Sequence, residues 1–352
     1  MKIAILTHDE NTSAGWGRFS DQLISGLRAR GHEVMVITEV GGSYPLLRRG
    51  VRLVLSAMKI APLLARCDVV HGLDVYPFGI AAWLANFYSR KPLIFSVHGT
   101  YSIAPLIESR YRFIARIACR GAQKIVALSR FTASRVSAAL GEKVSMTIIE
   151  GGVDLTKWNL AETYPRTRAL ISVGALKPRK GYEYTLRAFA MARERIPDLT
   201  WWIIGSPDDR GYAEKLRDQA HRLGVDSAIT WYEDITDIEL KQLYLHSSLF
   251  VLLSQNKGSH FEGFGLVFLE AAACGLPVIG TRGNGIEDAI GAENGILVPQ
   301  GNSEVAANAI LAYLSDEQKW LQASQASKKW AESHAITGVI DQYEKEYSAL
   351  LS

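Results

Sequence analysis

Ala169-Leu170-Ile171-Ser172-Val173-Gly174 is an apolar run of strand length closing on glycine, and it restarts a pattern that the chain has already run through once. Upstream, Lys2 to Leu6, Val34 to Thr38, Asp68 to His71, Leu93 to Val97 and Lys124 to Leu128 are short buried-strand runs separated by longer amphipathic stretches. In the first of those stretches, Phe19, Leu23, Ile24 and Leu27 recur at helical spacing before Gly31, a C-cap residue. Downstream, Thr200 to Gly205, Ile229 to Tyr232, Leu249 to Leu253 and Pro277 to Gly280 alternate with helical patterns over 182–194, 213–223 and 266–274. Strands alternating with helices predict a parallel sheet covered on both faces. Two such series predict an α/β chain with two doubly wound domains. The turn-rich Gly151-Gly152-Val153-Asp154 and Pro165 mark the boundary between them, giving domains at 1–155 and 156–330. The last stretch, 317–350, reads as helix with a break near Gly338, and 331–352 is expected to pack back on the first domain.

The 352 residues are 48% hydrophobic, 21% charged and 9% aromatic, which excludes a disordered or collagen-like chain. Cys67, Cys119 and Cys274 are scattered without C-x-x-C spacing. That pattern points to reduced thiols in a cytosolic protein rather than a disulfide framework or a zinc site. The first residues turn polar after Leu6, too soon for a signal-peptide core, and no uncharged run has the length of a membrane span. Residues 1–160 carry 20 Lys and Arg against 11 Asp and Glu, whereas 161–352 carry 19 against 25. The basic front half predicts an anionic partner: nucleic acid, an acidic lipid surface or a phosphate-bearing acceptor. Arg112, Arg116 and Arg120 fall on one helical stripe, and Arg48, Arg49, Arg52 and Lys59 form a second cluster among leucines. Basic amphipathic segments of this kind suit an anionic bilayer, and equally an ordinary solvated face.

Ligands of open α/β sheets bind beyond the carboxyl ends of the strands, near helix N-termini. The unusual residues fall there. The richest stretch is His260-Phe261-Glu262-Gly263-Phe264-Gly265-Leu266, running into a helix that carries Glu270. Gly263 and Gly265 leave the backbone bare where the helix begins. One carboxylate could reach a reacting group while the other grips a hydroxyl pair; on the residues alone, a glycine-rich turn with Glu262 as a cap fits as well. Val173-Gly174-Ala175-Leu176-Lys177-Pro178-Arg179-Lys180-Gly181 places cations beside a helix-opening glycine, which suits a diphosphate leaving group or a solvated turn. Ser13-Ala14-Gly15-Trp16-Gly17 follows the first strand, and His98-Gly99-Thr100 follows the strand 93–97.

The run E-G-F-G-L followed by L-E-A-x-A-C-G-x-P-V-I resembles the paired-glutamate motif of glycosyltransferase family 4, retaining sugar-nucleotide enzymes of GT-B fold. The resemblance implies two Rossmann-like domains facing a cleft, acceptor-binding in front and nucleotide-sugar-binding behind. It implies a catalytic role for Glu262 on the donor sugar's hydroxyls, with Gly263, Phe264 and Gly265 at the sugar. It assigns Lys180, Arg179, Gly15, Gly17 and Leu266 to the diphosphate, and Glu270, Glu233 and Gly205 to the nucleoside. His98 matches the family's His-Gly position and is expected at a sugar hydroxyl or phosphate; Ser129-Arg130 is a weaker match. The family usually has Gly-Arg where this chain has Gly174-Ala175, so Arg179 or Lys177 is expected to supply the missing cation. With no convincing Asp-x-Asp motif on a strand end, neither a metal nor another cofactor is expected, and Asp208-Asp209 reads as a surface turn.

The expected activity is transfer of a hexose, with UDP-glucose favoured as donor, to a saccharide or lipid-linked acceptor in polysaccharide or glycoconjugate biosynthesis. The alternatives are a sugar-nucleotide epimerase of the same fold and a non-catalytic nucleic-acid- or membrane-binding protein. Nucleic acid is not the expected partner. The expected location is the cytoplasm, with peripheral attachment to the inner membrane face as one use of the basic half.

Overall fold

The computed structural model describes residues 1–8, 15–39, 44–108, 110–141, 144–158 and 167–352. The chain divides into two units, Met1–Gly152 with Ile336–Ser352, and Val153–Ala335. Both cuts fall within five residues of the expected boundaries. Residues 331–335 stay with the second unit because Val153 N donates to His334 O at 2.9 Å. Ser13, Ala14 and Pro165 lie outside the described residues, and so does the Trp16 side chain.

The first unit holds β1 (Lys2–Thr7), α1 (Gly15–Ala29), β2 (Glu33–Thr38), α2 (Arg52–Leu64), β3 (Val69–Leu73), α3 (Ile80–Ser89) and β4 (Leu93–Val97). It continues through α4 (Thr100–Ile107), α5 (Arg112–Gly121), β5 (Lys124–Ala127), α6 (Arg130–Leu140) and β6 (Met146–Ile148). Its six strands pair in parallel in the order β2-β1-β3-β4-β5-β6. β3 and β4 are buried at every residue, as expected for strands covered on both faces. Of the arginine stripe on α5, Arg116 donates to Leu106 O at 2.9 Å and Arg120 to Leu140 O at 2.8 Å. Those two side chains staple neighbouring segments, and Arg112 stays exposed.

The second unit holds α7 (Leu155–Trp158), β7 (Ala169–Val173), α8 (Tyr182–Arg193), β8 (Thr200–Ile204), α9 (Arg210–Arg222), β9 (Ile229–Tyr232), α10 (Asp237–His246) and β10 (Leu249–Val251). Then come α11 (Leu266–Ala273), β11 (Val278–Thr281), α12 (Ile286–Ala289), β12 (Gly295–Val298), α13 (Ser303–Leu314) and α14 (Glu317–Ser333). Its sheet, again parallel, runs β12-β11-β10-β7-β8-β9. β7 is central and fully buried, so the loops after β7 and β10 leave the sheet side by side.

The final helix, α15 (Ile336–Leu351), belongs to the first unit. The helical break falls at His334 and Ala335 rather than at Gly338, which sits inside α15 with open space where a Cβ would stand. A glycine inside a helix costs only about 1 kcal/mol relative to alanine, and tertiary anchoring overrides it. The anchor is a buried polar chain. His71 bonds Tyr347 OH at 2.8 Å and Ser96 Oγ at 2.7 Å, and Ser96 Oγ meets Tyr343 OH at 2.9 Å. No helix among the described residues is long and apolar enough to cross a membrane.

Candidate active site

In the second unit, chemistry collects where β7 and β10 end. After β7 the chain makes one 3-10 turn, Pro178–Lys180, and leaves it at Gly181 with φ +69°. A Cβ at Gly181 would lie 1.9 Å from Leu253 O, so only glycine lets the turn press against the β10 loop. That contact brings Lys180 Nζ to 2.6 Å and Arg179 Nη1 to 2.9 Å from a single oxygen, Oε2 of Glu262. Ser254 Oγ stands at 3.5 Å from the same oxygen. The Lys180, Glu262 and Arg179 side chains are only 10%, 13% and 19% exposed, so water screens them poorly.

Burial alone would push Glu262 upward, but the Lys180 and Arg179 charges outweigh it and hold the carboxyl at about 2. Burial pushes the Lys180 ammonium down, against the pull of Glu262, and Arg179 adds to the downward push. Two cations sharing one carboxylate leave one positive charge in surplus. Lys177 does not join them: its Nζ pairs with Asp208 Oδ2 at 2.6 Å. Of the two candidates for the missing arginine, Arg179 is the one at the cluster.

The Glu262 loop is fixed from its other side. Gly285 N donates to Glu262 O at 2.9 Å, and a Cβ at Gly285 would fall 1.9 Å from Gly263 O. Gly265, at φ +92°, precedes Leu266, the first residue of α11. The leading N–H groups of that helix have no intrahelical partner and carry the positive end of its dipole. Phe264 is buried beneath this opening, 1% exposed. Glu270 lies within α11, 4% exposed, with Tyr244 OH at 3.5 Å from Oε2. The ends of β7 and β8 meet through glycines: a Cβ at Gly205 would lie 2.1 Å from Gly174 O, which also accepts from Tyr182 OH at 2.6 Å. Glu233 follows β9, half-exposed, at 3.4 Å from Arg217. Asp209 caps α9, accepting from Tyr212 N at 3.2 Å. Gly181, Tyr182, Gly285 and Ser254 shape this site; the sequence reading singled out Gly181 as the helix-opening glycine but not Tyr182, Gly285 or Ser254. A glycine in the loop after β11 was the available signal for Gly285.

The first unit places the remaining candidates. His98 follows β4, and its backbone N donates to Ser102 Oγ at 2.9 Å; that hydroxyl in turn donates to Asp74 Oδ1. Phe19 of α1 meets the imidazole edge-on with ring centres 4.6 Å apart. Burial, reinforced by His71, drives His98 down to about 3, so the ring is neutral at neutral pH. Asp74, fully buried with φ +98°, is pushed up to about 7 by its burial, against the bonds from Ser102 and Val75 N. Gly15 opens α1 and Gly17 is buried within its first turn. Ser129 is the N-cap of α6, accepting from Thr132 N at 3.0 Å, so its place is explained by helix capping. Among the described residues, no group of three or more His, Cys, Asp or Glu could hold a metal ion.

The two six-stranded parallel sheets with helices, in series, form a GT-B fold. The family model "Glycosyl transferases group 1" matches residues 161–330, and "Glycosyltransferase Family 4" matches 14–157. The chain belongs to glycosyltransferase family 4 and is a transferase acting on a sugar nucleotide. It is 26% identical over 310 residues to the GDP-mannose-dependent alpha-(1-6)-phosphatidylinositol monomannoside mannosyltransferase of Mycolicibacterium smegmatis, covering 82% of this chain and 79% of that one. Among solved structures it is similar to HepE of Anabaena in complex with UDP-glucose, with TM-score 0.84, 20% identity, and 99% and 100% of the two chains covered. WaaG, a glycosyltransferase involved in lipopolysaccharide biosynthesis, matches with TM-score 0.73, 18% identity, and 99% of each chain covered.

Proposed function

We propose that this chain is a retaining hexosyltransferase that moves glucose from UDP-glucose to a saccharide or lipid-linked acceptor in the assembly of a polysaccharide or glycoconjugate. The observation that carries the reading is the Lys180–Glu262–Arg179 cluster beside the open start of α11. As the glycosidic bond breaks, negative charge builds on the departing nucleoside diphosphate. The surplus cation of the cluster and the N–H groups from Leu266 onward offset that charge without a metal ion. Both cations sit on Oε2 of Glu262, which leaves Oε1 to accept from a donor-sugar hydroxyl. Gly263, Phe264 and Gly265 line the sugar, and Glu270 accepts from the ribose hydroxyls. Gly205 and the backbone near Glu233 hold the base end. The neutral imidazole of His98 is a hydrogen-bond partner for a sugar hydroxyl, not a counter-ion for phosphate. The leaving phosphate oxygen takes the acceptor's proton.

A second reading of the donor, GDP-mannose, draws on the name of the mycobacterial relative. A panel of UDP-, GDP- and ADP-sugars, assayed with EDTA present for released nucleoside diphosphate and for sugar on an acceptor, separates the two. Turnover is expected with UDP-glucose, and with Glu262→Ala it should vanish while the fold persists. Glu262→Ala turning over at the unmodified rate would defeat the assignment. Release of an isomerised sugar without an acceptor would make the enzyme an epimerase.

A further inference from the structure

The loop after β11 holds the candidate active site from behind, and it does so with buried polar side chains. Thr281 closes β11, the strand that pairs with β10, and it is fully buried. Its Oγ1 donates to Ser254 O at 2.6 Å, and the same oxygen accepts from Asn284 Nδ2 at 3.0 Å. Asn284, 1% exposed, accepts from Ile286 N on its Oδ1 at 2.9 Å, which ties it to the start of α12. The next residue, Gly285, is the one whose N–H holds Glu262 O.

What Thr281 grips is the shelf on which the charged cluster meets. Leu253 O faces Gly181, Ser254 Oγ stands 3.5 Å from Glu262 Oε2, and Gln255 N donates to Arg179 O at 2.8 Å. Residues 253–255 therefore touch both the turn that carries the cations and the carboxylate that receives them. One short stretch, 281–285, fixes this shelf through Thr281 and the Glu262 backbone through Gly285. Packing alone does not call for such chemistry. Valine has the shape of threonine, and at a fully buried strand end it avoids the desolvation cost of a hydroxyl. Thr281 and Asn284 are buried too deeply to touch a substrate, so they act on the reaction only through Ser254 and Glu262.

We infer that Thr281 and Asn284 are positioning residues for transfer: their hydrogen-bond chain holds Ser254 and, with Gly285, fixes where Glu262 meets Lys180 and Arg179. The inference rests on the reading of Glu262 as the group that meets the donor sugar. A preorganised charge works in the transition state only while its geometry holds, and a misplacement of about 1 Å costs on the order of 10²-fold. The nucleoside end, given to Glu270 and Gly205 in that reading, does not depend on this chain.

The test is steady-state release of nucleoside diphosphate with the donor that the sugar-nucleotide panel selects, with melting curves and circular dichroism to establish the folded fraction. Thr281→Val keeps the shape and removes the hydroxyl; it should lower kcat by about 10- to 100-fold and leave the donor KM within about threefold. Thr281→Ser restores the hydroxyl and should return kcat to within about threefold of the unmodified enzyme. Asn284→Ala spares the Thr281–Ser254 bond and should cost less than Thr281→Val. If Thr281→Val does not fold, Asn284→Ala decides, with a loss in kcat of about fivefold expected. A role in folding alone would lower the melting temperature of Thr281→Val and leave kcat unmoved. That result, an equal loss in Thr281→Ser, or a raised KM with kcat unchanged would each overturn the inference. Glu262→Ala is the control that separates the two readings. Thr281→Val at full rate beside an inactive Glu262→Ala sinks the positioning chain alone. Glu262→Ala at full rate, or no turnover with any donor, sinks the catalytic assignment and this inference with it.

Discussion

The two units bury ionisable side chains in opposite ways. In the first, His71, His98 and Asp74 are buried away from any counter-charge strong enough to keep them ionised, and burial drives the two imidazoles to about 3 and the carboxyl to about 7. In the second, Glu262 is nearly as buried, yet the two cations on its Oε2 hold it at about 2. Desolvation is the largest single influence at every one of these groups. What differs is whether an opposite charge stands within hydrogen-bond distance. The first unit uses buried polar groups to fix backbone and helices, whereas the second keeps a concentrated charge ready for a substrate.

The sharpest way to break that contrast is to remove one cation from each end of the Lys177–Lys180 turn. Lys180→Ala should lower kcat by about 10²- to 10³-fold, the scale of losing one preorganised charge at a leaving group. Lys177→Ala removes a cation three residues away whose partner, Asp208, is half-exposed, and its effect should stay within about twofold. Steady-state rates of the two variants, with melting curves to confirm folding, test the pair. Similar losses in both would mean that general positive charge, not the Glu262 cluster, carries the function.

Much of this contrast was legible in the sequence, and the missing part has a physical pattern. Glu262, Lys180 and Gly265 were legible through the resemblance of their stretches to glycosyltransferase family 4; on the residues alone, a capped glycine-rich turn and a solvated cationic turn fitted as well. The described strands were legible from apolar runs alone, except the edge strands β6 and β12, which the reading did not include. What stayed hidden were pairwise facts. Nothing in the sequence says that Lys180 and Arg179 share one oxygen of Glu262, because the contact spans 82 residues and depends on Gly181 pressing against Leu253. Nothing in the sequence marks Asp74; its positive φ and its bond from Ser102 show it tied to the His98 turn. The final helical break was misplaced at Gly338 because propensity favours a glycine, while the anchoring of α15 through Tyr343 and Tyr347 is tertiary.

The neutral groups of the first unit set its response to pH, with opposing signs. His71 and His98 have folded pKa values below the unfolded one, so their contribution is present above about pH 6.5 and is lost as pH falls toward 3. Asp74 is raised, so its contribution is full below about pH 4 and is lost as pH rises through about 7. For each group the whole effect is on the order of 4 kcal/mol. Between pH 7 and 4 the aspartate therefore offsets part of the histidine loss. Asp74→Asn should steepen acid destabilisation in that interval, read as Tm against pH. An unchanged slope would mean that Asp74 is ionised in the folded protein.

The smallest of these effects concerns the anchor of α15. Tyr347→Phe keeps the ring and removes only the hydroxyl that meets His71 Nδ1 at 2.8 Å. The imidazole retains Ser96 on its other nitrogen, so one buried polar atom loses its partner, at a cost of about 1–3 kcal/mol. Tyr343→Phe acts differently, because Ser96 Oγ keeps its bond to His71 after the tyrosine hydroxyl is gone. Its cost should therefore be smaller than that of Tyr347→Phe, and the double variant should cost less than their sum, because both hydroxyls belong to one hydrogen-bond chain. Chemical denaturation of the four proteins completes the cycle. Strict additivity would show that the two tyrosines hold α15 independently and that the chain through His71 and Ser96 couples nothing.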